Sequence, residues 1–578
     1  MNTTTVALET EASVQKGHPK GLGVLFATEM WERFNFYGMR AILTLFLVNA
    51  LAFSDSDSSI IYGGFLGLCY LTPMLGGYIA DRYLGNRNCI LLGGTVMSIG
   101  QLFMFASAFL YATNLETAKL VMWAGLFVLI IGNGFFKPNI SAMVGQLYPK
   151  GDNRLDSAFT VFYMGINVGA MLGMTICPLL GDVVVNAGQP NEYRVVSAFK
   201  WGFLAAGVAM MLGTIVFYIL KDKYVVAPDG KPVGARPSFN KNLAHGEEAD
   251  KAKFTTSAVI GVLALMVVLF FGIHYLSLDS TVQVQNPIKV WIYPFIYAAG
   301  ISLAVLILTD KSITKIERDR ILVIYAVAFF VIFFWACFEQ AGSSLTFIAD
   351  RQTDRTLFGW NMPPSFVQNA NSFFIIIFAI PLSIIWMSLQ KKKLEPISPV
   401  KQSMGLALLA IGSLIIGLQV KGLGNAEKLG VIWLIVMYLF HTLGELCLSP
   451  IGLSLVSKLA PLRFSSLLMG VWFLSNASGY ALAGTLGTLL PPTGDKYEAA
   501  DKACIALQPI LDKTVAATTE QLATLKSLNI PAHYPSFMGF TIHNLFEFFM
   551  VMVILPGAAA VLLFLISGVL KKKMHGVR

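Results

Sequence analysis

The chain has 578 residues, of which 55% are hydrophobic and only 13% charged, with a mean hydropathy of +0.66. That composition excludes a soluble enzyme and describes an all-α polytopic membrane protein. The formal net charge of +9 does not argue for nucleic acid, because the basic residues gather in short loops and at the tail, the positive-inside pattern.

Hydropathy predicts fourteen spanning helices, at 21–52, 58–82, 87–112, 117–147, 155–182, 195–220, 254–276, 288–309, 319–348, 364–388, 403–420, 428–456, 463–490 and 541–570. The polar residues 1–20 lack the apolar core and cleavage site of a signal peptide, so the first span is expected to stay. Arg82/Arg87, Lys150/Arg154, Lys221 to Lys253, Lys311 to Arg320, Lys391 to Lys401, Lys458/Arg463 and Lys571 to Lys573 all fall on one side. Both termini are therefore predicted to be cytoplasmic. Six cysteines show neither metal spacing nor a disulfide framework and read as small apolar packers.

The first helix carries Glu29-Met-Trp-Glu32-Arg33-Phe-Asn-Phe-Tyr37-Gly-Met-Arg40. Each charge costs on the order of 3 kcal/mol at the centre of a bilayer. At 3.6 residues per turn Glu29, Glu32, Arg33, Phe36, Tyr37 and Arg40 share one face, so that face must look into protein or a watery cavity. This E-x-x-E-R followed by F-Y-G and a later Arg resembles the signature of the proton-dependent oligopeptide transporter family of the major facilitator superfamily. That family usually has Tyr-Tyr-Gly where Phe36-Tyr37-Gly38 stands here. The resemblance implies two six-helix bundles, 21–220 and 319–570, around a midplane cavity. A cytoplasmic linker (221–253), a lateral two-helix hairpin (254–309) and a short basic tail (571–578) complete the expected organisation.

The second helix contains Tyr62-Gly63 and Tyr70, and ends in Asp81-Arg82 before Arg87. Its end resembles the superfamily loop in which an Asp and nearby Arg side chains form a gating latch. Mammalian relatives place a His where Gly63 stands, which leaves proton handling to the carboxylates. In the fourth helix Lys137 precedes Pro138, and an ammonium so deep requires a carboxylate partner or loses its proton. The fifth helix reads Phe162-Tyr163-Met-Gly-Ile-Asn167-Val-Gly169, similar to the family's F-Y-x-x-I-N-x-G. Across the chain, Trp335, Glu339, Asn371, His441, Glu445 and Trp472 complete the polar and aromatic candidates, with His441 read as a packing residue. The polar stretch 491–540 is an external insertion, expected as a helical hairpin without an assigned role.

The deep charges nearly balance and divide between the two halves, so pairs bridging the bundles are expected. The family resemblance implies di- and tripeptide substrates, with Arg40 and Lys137 receiving the carboxylate and Glu445, beside Asn167 and Asn371, receiving the ammonium. Tyr37, Tyr70, Trp335 and Trp472 are expected to wall that site. Glu29, Glu32, Arg33 and Glu339 are expected to couple protons, and Asp81, Arg82 and Arg87 to gate. No cofactor or metal is expected, protons being the coupling ion, and the chain is expected to act as a monomer in a bacterial cytoplasmic membrane. Other classes stay open at this point. An anion carrier of the same family would take nitrate, a channel would show unsaturable flux, and an enzyme would need a nucleophile–base set that the sequence lacks.

Overall fold

The computed structural model describes residues 17–149, 152, 154–186, 189, 192–236, 254–278, 285–424, 427–461 and 464–577. Residues 1–16, Lys150, the linker beyond 236 and Arg463 lie outside the described residues. In the first half the helices are Lys20–Asn49 (α1), Asp55–Leu71 (α2), Pro73–Ile79 (α3), Asn86–Leu110 (α4), Leu115–Gln146 (α5), Leu155–Gly181 (α6) and Phe199–Tyr224 (α7). Thr256–Ser277 (α8) and Tyr293–Leu308 (α9) follow. The second half has Lys315–Phe338 (α10), Ser344–Arg351 (α11), Asn369–Lys391 (α12), Ser398–Gln419 (α13), Val431–Leu459 (α14) and Ser465–Gly487 (α15). Short helices Gly494–Lys502 (α16), Leu507–Leu511 (α17) and Thr519–Ser527 (α18) precede the last long helix, Leu545–Lys573 (α19). Twelve spans among the described residues are long and apolar enough to cross a bilayer. With α1, which carries the buried charges, and α15, the membrane-length set reaches the predicted fourteen.

Helix starts carry side-chain acceptors for their free N–H groups. Ser54 Oγ accepts from Asp57 N–H at 3.0 Å, and Asn544 Oδ1 from Glu547 N–H at 3.0 Å. Thr314 and Glu317 form a reciprocal capping box at the start of α10.

The predicted single helix 319–348 is broken. α10 stops at Phe338, a 3₁₀ turn covers Glu339–Gly342, and α11 restarts at Ser344. Two features mark the break. A Cβ on Gly342 would lie 2.0 Å from the Tyr62 hydroxyl, and the carbonyl that the break frees accepts from Thr44 Oγ1 at 2.9 Å. The second span also breaks, at Thr72–Pro73, where proline has no N–H to give, and ends in a π turn closed by Gly85 at φ +74°.

α1 packs along α6 and α7, and α4 along α5 and α7. In the other half α13 lies against α14 and α19, and α10 against α15 and α19. The halves meet along two seams, α2 with α15 and α6 with α12. At the first seam a Cβ on Gly63 would sit 2.6 Å from the Tyr480 carbonyl oxygen and 2.7 Å from Gly484 Cα. A histidine cannot be seated there in this packing.

The hairpin expected to be wholly peripheral is so only in α8, which has no buried residue. α9 seats Tyr293 and Ile296 against the α2–α15 seam, with Tyr293 Oη donating to Ile60 O at 2.9 Å. The insertion is also not a hairpin. α16, α17 and α18 close around their own small core of Ala500, Leu507, Ile510, Leu511, Leu525 and Ile530. Five cysteines are buried as expected and Cys504 is exposed.

Candidate functional site

Between the halves lies a cavity of about 190 Å³. Arg40, Tyr37, Tyr70, Lys137, Asn167, Trp335, Asn371, Glu445 and Trp472, proposed from the sequence, all line it, together with Glu339. α1 presents Tyr37 and Arg40, α2 Tyr70, α5 Lys137 and α6 Asn167. The opposite wall comes from the α10–α11 break, α12, α14 and α15. The cavity is therefore polarised: its cations come from the first half and its carboxylates from the second.

One bridging pair is made. Arg40 Nη1 donates to both Glu339 oxygens at 3.1 Å, while its guanidinium carbon lies 4.7 Å from the centre of the Tyr37 ring. Tyr62 Oη donates to Glu339 Oε2 at 3.2 Å, a contact that nothing but a tyrosine in an apolar helix foreshadows. On the other wall Asn371 Nδ2 donates to Glu445 Oε2 and to Thr442 Oγ1, each at 3.0 Å.

Of the two outcomes expected for Lys137, the carboxylate partner is not the one the structure supplies. Lys137 has no carboxylate within ion-pair distance among the described residues. Its ammonium lies 3.3 Å from the centre of the Tyr70 ring and makes no hydrogen bond there. Trp335 Nε1, Ser449 Oγ and Asn476 Oδ1 on the opposite cavity wall are likewise buried without hydrogen bonds. Buried polar groups left unpaired are costly, and water or a polar ligand in the cavity would satisfy them. Asn167 lines the cavity and donates its amide Nδ2 back to Tyr163 O at 2.9 Å.

Glu29, Glu32 and Arg33 form a separate buried cluster rather than cavity wall. Arg33 Nε lies 2.7 Å from Glu29 Oε1 and 2.8 Å from Glu32 Oε2. Asn133 Nδ2, one turn before Lys137 on α5, approaches Glu32 Oε1 at 3.4 Å and connects the cluster to the cavity.

At the end of the bundles that carries the α1–α2 turn, the halves are joined by pairs that sequence reading missed. Arg351 holds Asp55 at 2.6 and 2.8 Å. The neighbouring Asp350 takes Arg194 at 2.7 Å, and Arg194 in turn binds Asp182 at 2.8 Å. Asp182, fully buried, also accepts from Ser365 N–H at 3.0 Å and Ser365 Oγ at 2.7 Å, and Arg355 reaches Glu192 at 2.9 Å. Burial works against the Arg194 charge, but the Asp350 and Asp182 carboxylates outweigh it and hold the guanidinium above its usual range. Arg194→Ala is therefore expected to cost about 3–5 kcal/mol, because it leaves two carboxylates without their cation. Thermal unfolding of the detergent-solubilised variant measures it, and an unshifted transition would contradict this role.

The expected latch residues are arranged differently. Arg87 is buried, with Nη1 2.6 Å from Asp222 Oδ1 and Nε 2.6 Å from Val233 O. Its other donations, to Lys221 O and Val225 O, go to the last turn of α7 and the residue that follows it, within the same half. Arg82 is exposed and donates to Tyr78 Oη at 2.7 Å, and Asp81 lies in the π turn.

The sequence profile of the POT family (PTR2) matches residues 87–498. The peptide transporter YePEPT of Yersinia enterocolitica is 32% identical over 480 residues, covering 82% of this chain and 88% of that protein. The di-/tripeptide transporter of Lactococcus lactis subsp. cremoris is 31% identical over 481 residues, covering 81% and 88%. Among solved structures, a POT family transporter in complex with 5-aminolevulinic acid superposes with a TM-score of 0.70 at 28% identity, over 96% of this chain and 97% of that one. Another, in complex with a thioalcohol-conjugated peptide, gives 0.69 at 28% identity over the same shares.

Proposed function

Since this chain belongs to the POT family, we propose that it imports di- and tripeptides together with protons by alternating access. The observation that carries the reading is the polarity of the cavity, with Arg40 and Lys137 on one half facing Glu339 and Glu445 on the other. A peptide zwitterion matches that polarity. Its carboxylate meets Arg40 and Lys137, and its ammonium meets Glu445 beside Asn371 and Asn167. Tyr37, Tyr70, Trp335 and Trp472 exclude water and pack the peptide's side chains.

Protonation supplies the coupling. A proton on Glu339 removes the negative partner of Arg40, which frees the guanidinium for the peptide carboxylate and loosens the contact between halves. A proton on Glu32 similarly alters the Glu29–Glu32–Arg33 cluster and, through Asn133, the wall that carries Lys137. At about 2.3 kcal/mol per charge per 100 mV, one inward proton supports roughly tens-fold accumulation of a neutral peptide. In this reading the protein works as a monomer in the bacterial cytoplasmic membrane, with both termini inside.

Uptake of a labelled dipeptide by proteoliposomes with an imposed inward proton gradient tests the reading. It is expected to saturate, to compete with unlabelled peptide and to collapse with protonophore. Uptake indifferent to the gradient would remove the proton from the mechanism, and uptake of nitrate in place of peptide would remove the substrate. Glu445→Gln is expected to raise the apparent KM for a free dipeptide by roughly 30-fold, the loss of a buried charge-assisted contact. N-acetylated dipeptide, which has no ammonium, is expected to compete equally well against both proteins.

A further inference from the structure

The insertion between α15 and α19 belongs by connectivity to the second half, yet it holds the first half at two points. Its Asp495 and Lys496 enter the Asp55–Arg351 pair. Asp495 Oδ2 lies 3.4 Å from Arg351 Nε, and Lys496 Nζ lies 3.9 Å from Asp55 Oδ2. Four charges thus alternate in sign, with Asp55 contributed by α2 of the first half and the other three by the second. Lys496 is buried in this arrangement, which limits the screening that weakens exposed pairs. Farther along, Asn529 Nδ2 donates to Ala52 O at 3.1 Å. Ala52 forms the turn between α1 and α2 and has left-handed backbone at φ +55°, which leaves its carbonyl out of the helical ladder.

Other bonds tie the insertion to its own half. Gly494 N–H donates to Gln352 Oε1 at 3.2 Å, just beyond α11. The three short helices share a separate apolar core, so they move as one body. If the halves part on the external side, the contacts to Asp55 and Ala52 are the ones that must break.

We propose that the Gly494–Ile530 segment is a clasp on the external gate, which holds the outward-closed state by gripping the α1–α2 turn. Opening to the outside then requires two events, separation of Asp55 from Arg351 and release of the clasp. This inference rests on the alternating-access reading above, and its test reads conformation without peptide or proton gradient.

Nitroxide labels at Ala112→Cys, external to α4, and Lys421→Cys, external to α13, report the separation of the halves in the full-length protein. Both positions are exposed, and a Cys504→Ser background removes the exposed native thiol. The double variant Lys496→Gln/Asn529→Ala is expected to raise the ratio of long to short distances about fivefold, the effect of losing one hydrogen bond and one shielded ion pair. Arg351→Gln, which opens the gate itself, is expected to shift the same distribution. A distribution unchanged in the double variant overturns the clasp. If Arg351→Gln still shifts, the gate exists without the clasp; if neither shifts, the alternating-access reading falls with it.

Discussion

Glu32→Gln is expected to abolish gradient-driven accumulation of dipeptide while exchange of external for internal peptide persists within about twofold. Glu32 is fully buried, with Oε2 2.8 Å from Arg33 Nε and Oε1 3.4 Å from Asn133 Nδ2. Glutamine has the same size and keeps an oxygen for Asn133. Arg33 retains Glu29 at 2.7 Å, so the cluster keeps an ion pair and the helix its packing. What is lost is a carboxylate able to take up and release a proton. Accumulation should then fall to the level seen with protonophore, a drop of roughly tens-fold at 100 mV. Counterflow in proteoliposomes checks the exchange arm. Continued pH-dependent accumulation by the variant would show that the coupling proton binds elsewhere.

Arg40→Ala is expected to reduce uptake by more than about a hundredfold, because removing one member of a buried charged contact costs about 3–5 kcal/mol. The variant loses the cation proposed to meet the peptide carboxylate. It also leaves Glu339 buried with the Tyr62 hydroxyl as its remaining hydrogen-bond donor among the described residues. The double variant Arg40→Ala/Glu339→Gln separates these effects, since it removes the stranded charge but not the binding defect. Thermal stability should recover in the double variant and uptake should not. Recovery of uptake as well would assign Arg40 to the gate alone and remove it from the substrate site.

The first helix was the most legible part of the sequence. Six polar and aromatic residues on one helical face admit few placements in a bilayer, and the structure buries or lines a cavity with each of them. The nine cavity residues were found because each is a polar or aromatic group in an otherwise apolar span. Features made by distant pairing were not legible. Asp55 and Arg351 are 296 residues apart, and Arg194 and Asp350 are 156 apart, each looking like an ordinary loop or interface charge. The break after α10 was hidden because Gly342 reads as a tolerated glycine until Tyr62 is seen against it. Lys137 shows a different limit: its depth called for a carboxylate partner or loss of the proton, and the sequence could not say that the face of Tyr70 lies against it.

The Arg40–Glu339 pair also sets a schedule for making the protein. Glu29 and Arg33 are four residues apart and neutralise one another as soon as α1 forms; Arg194 meets Asp182 after twelve. Arg40 precedes Glu339 by 299 residues. At about 5–20 residues per second of synthesis, its carboxylate emerges roughly 15–60 s later. During that interval α1 carries an unmatched cation at a depth where lipid cannot solvate it. The nascent first half is expected to shelter that cation beside the insertion machinery or a water-filled crevice until α10 brings the missing anion.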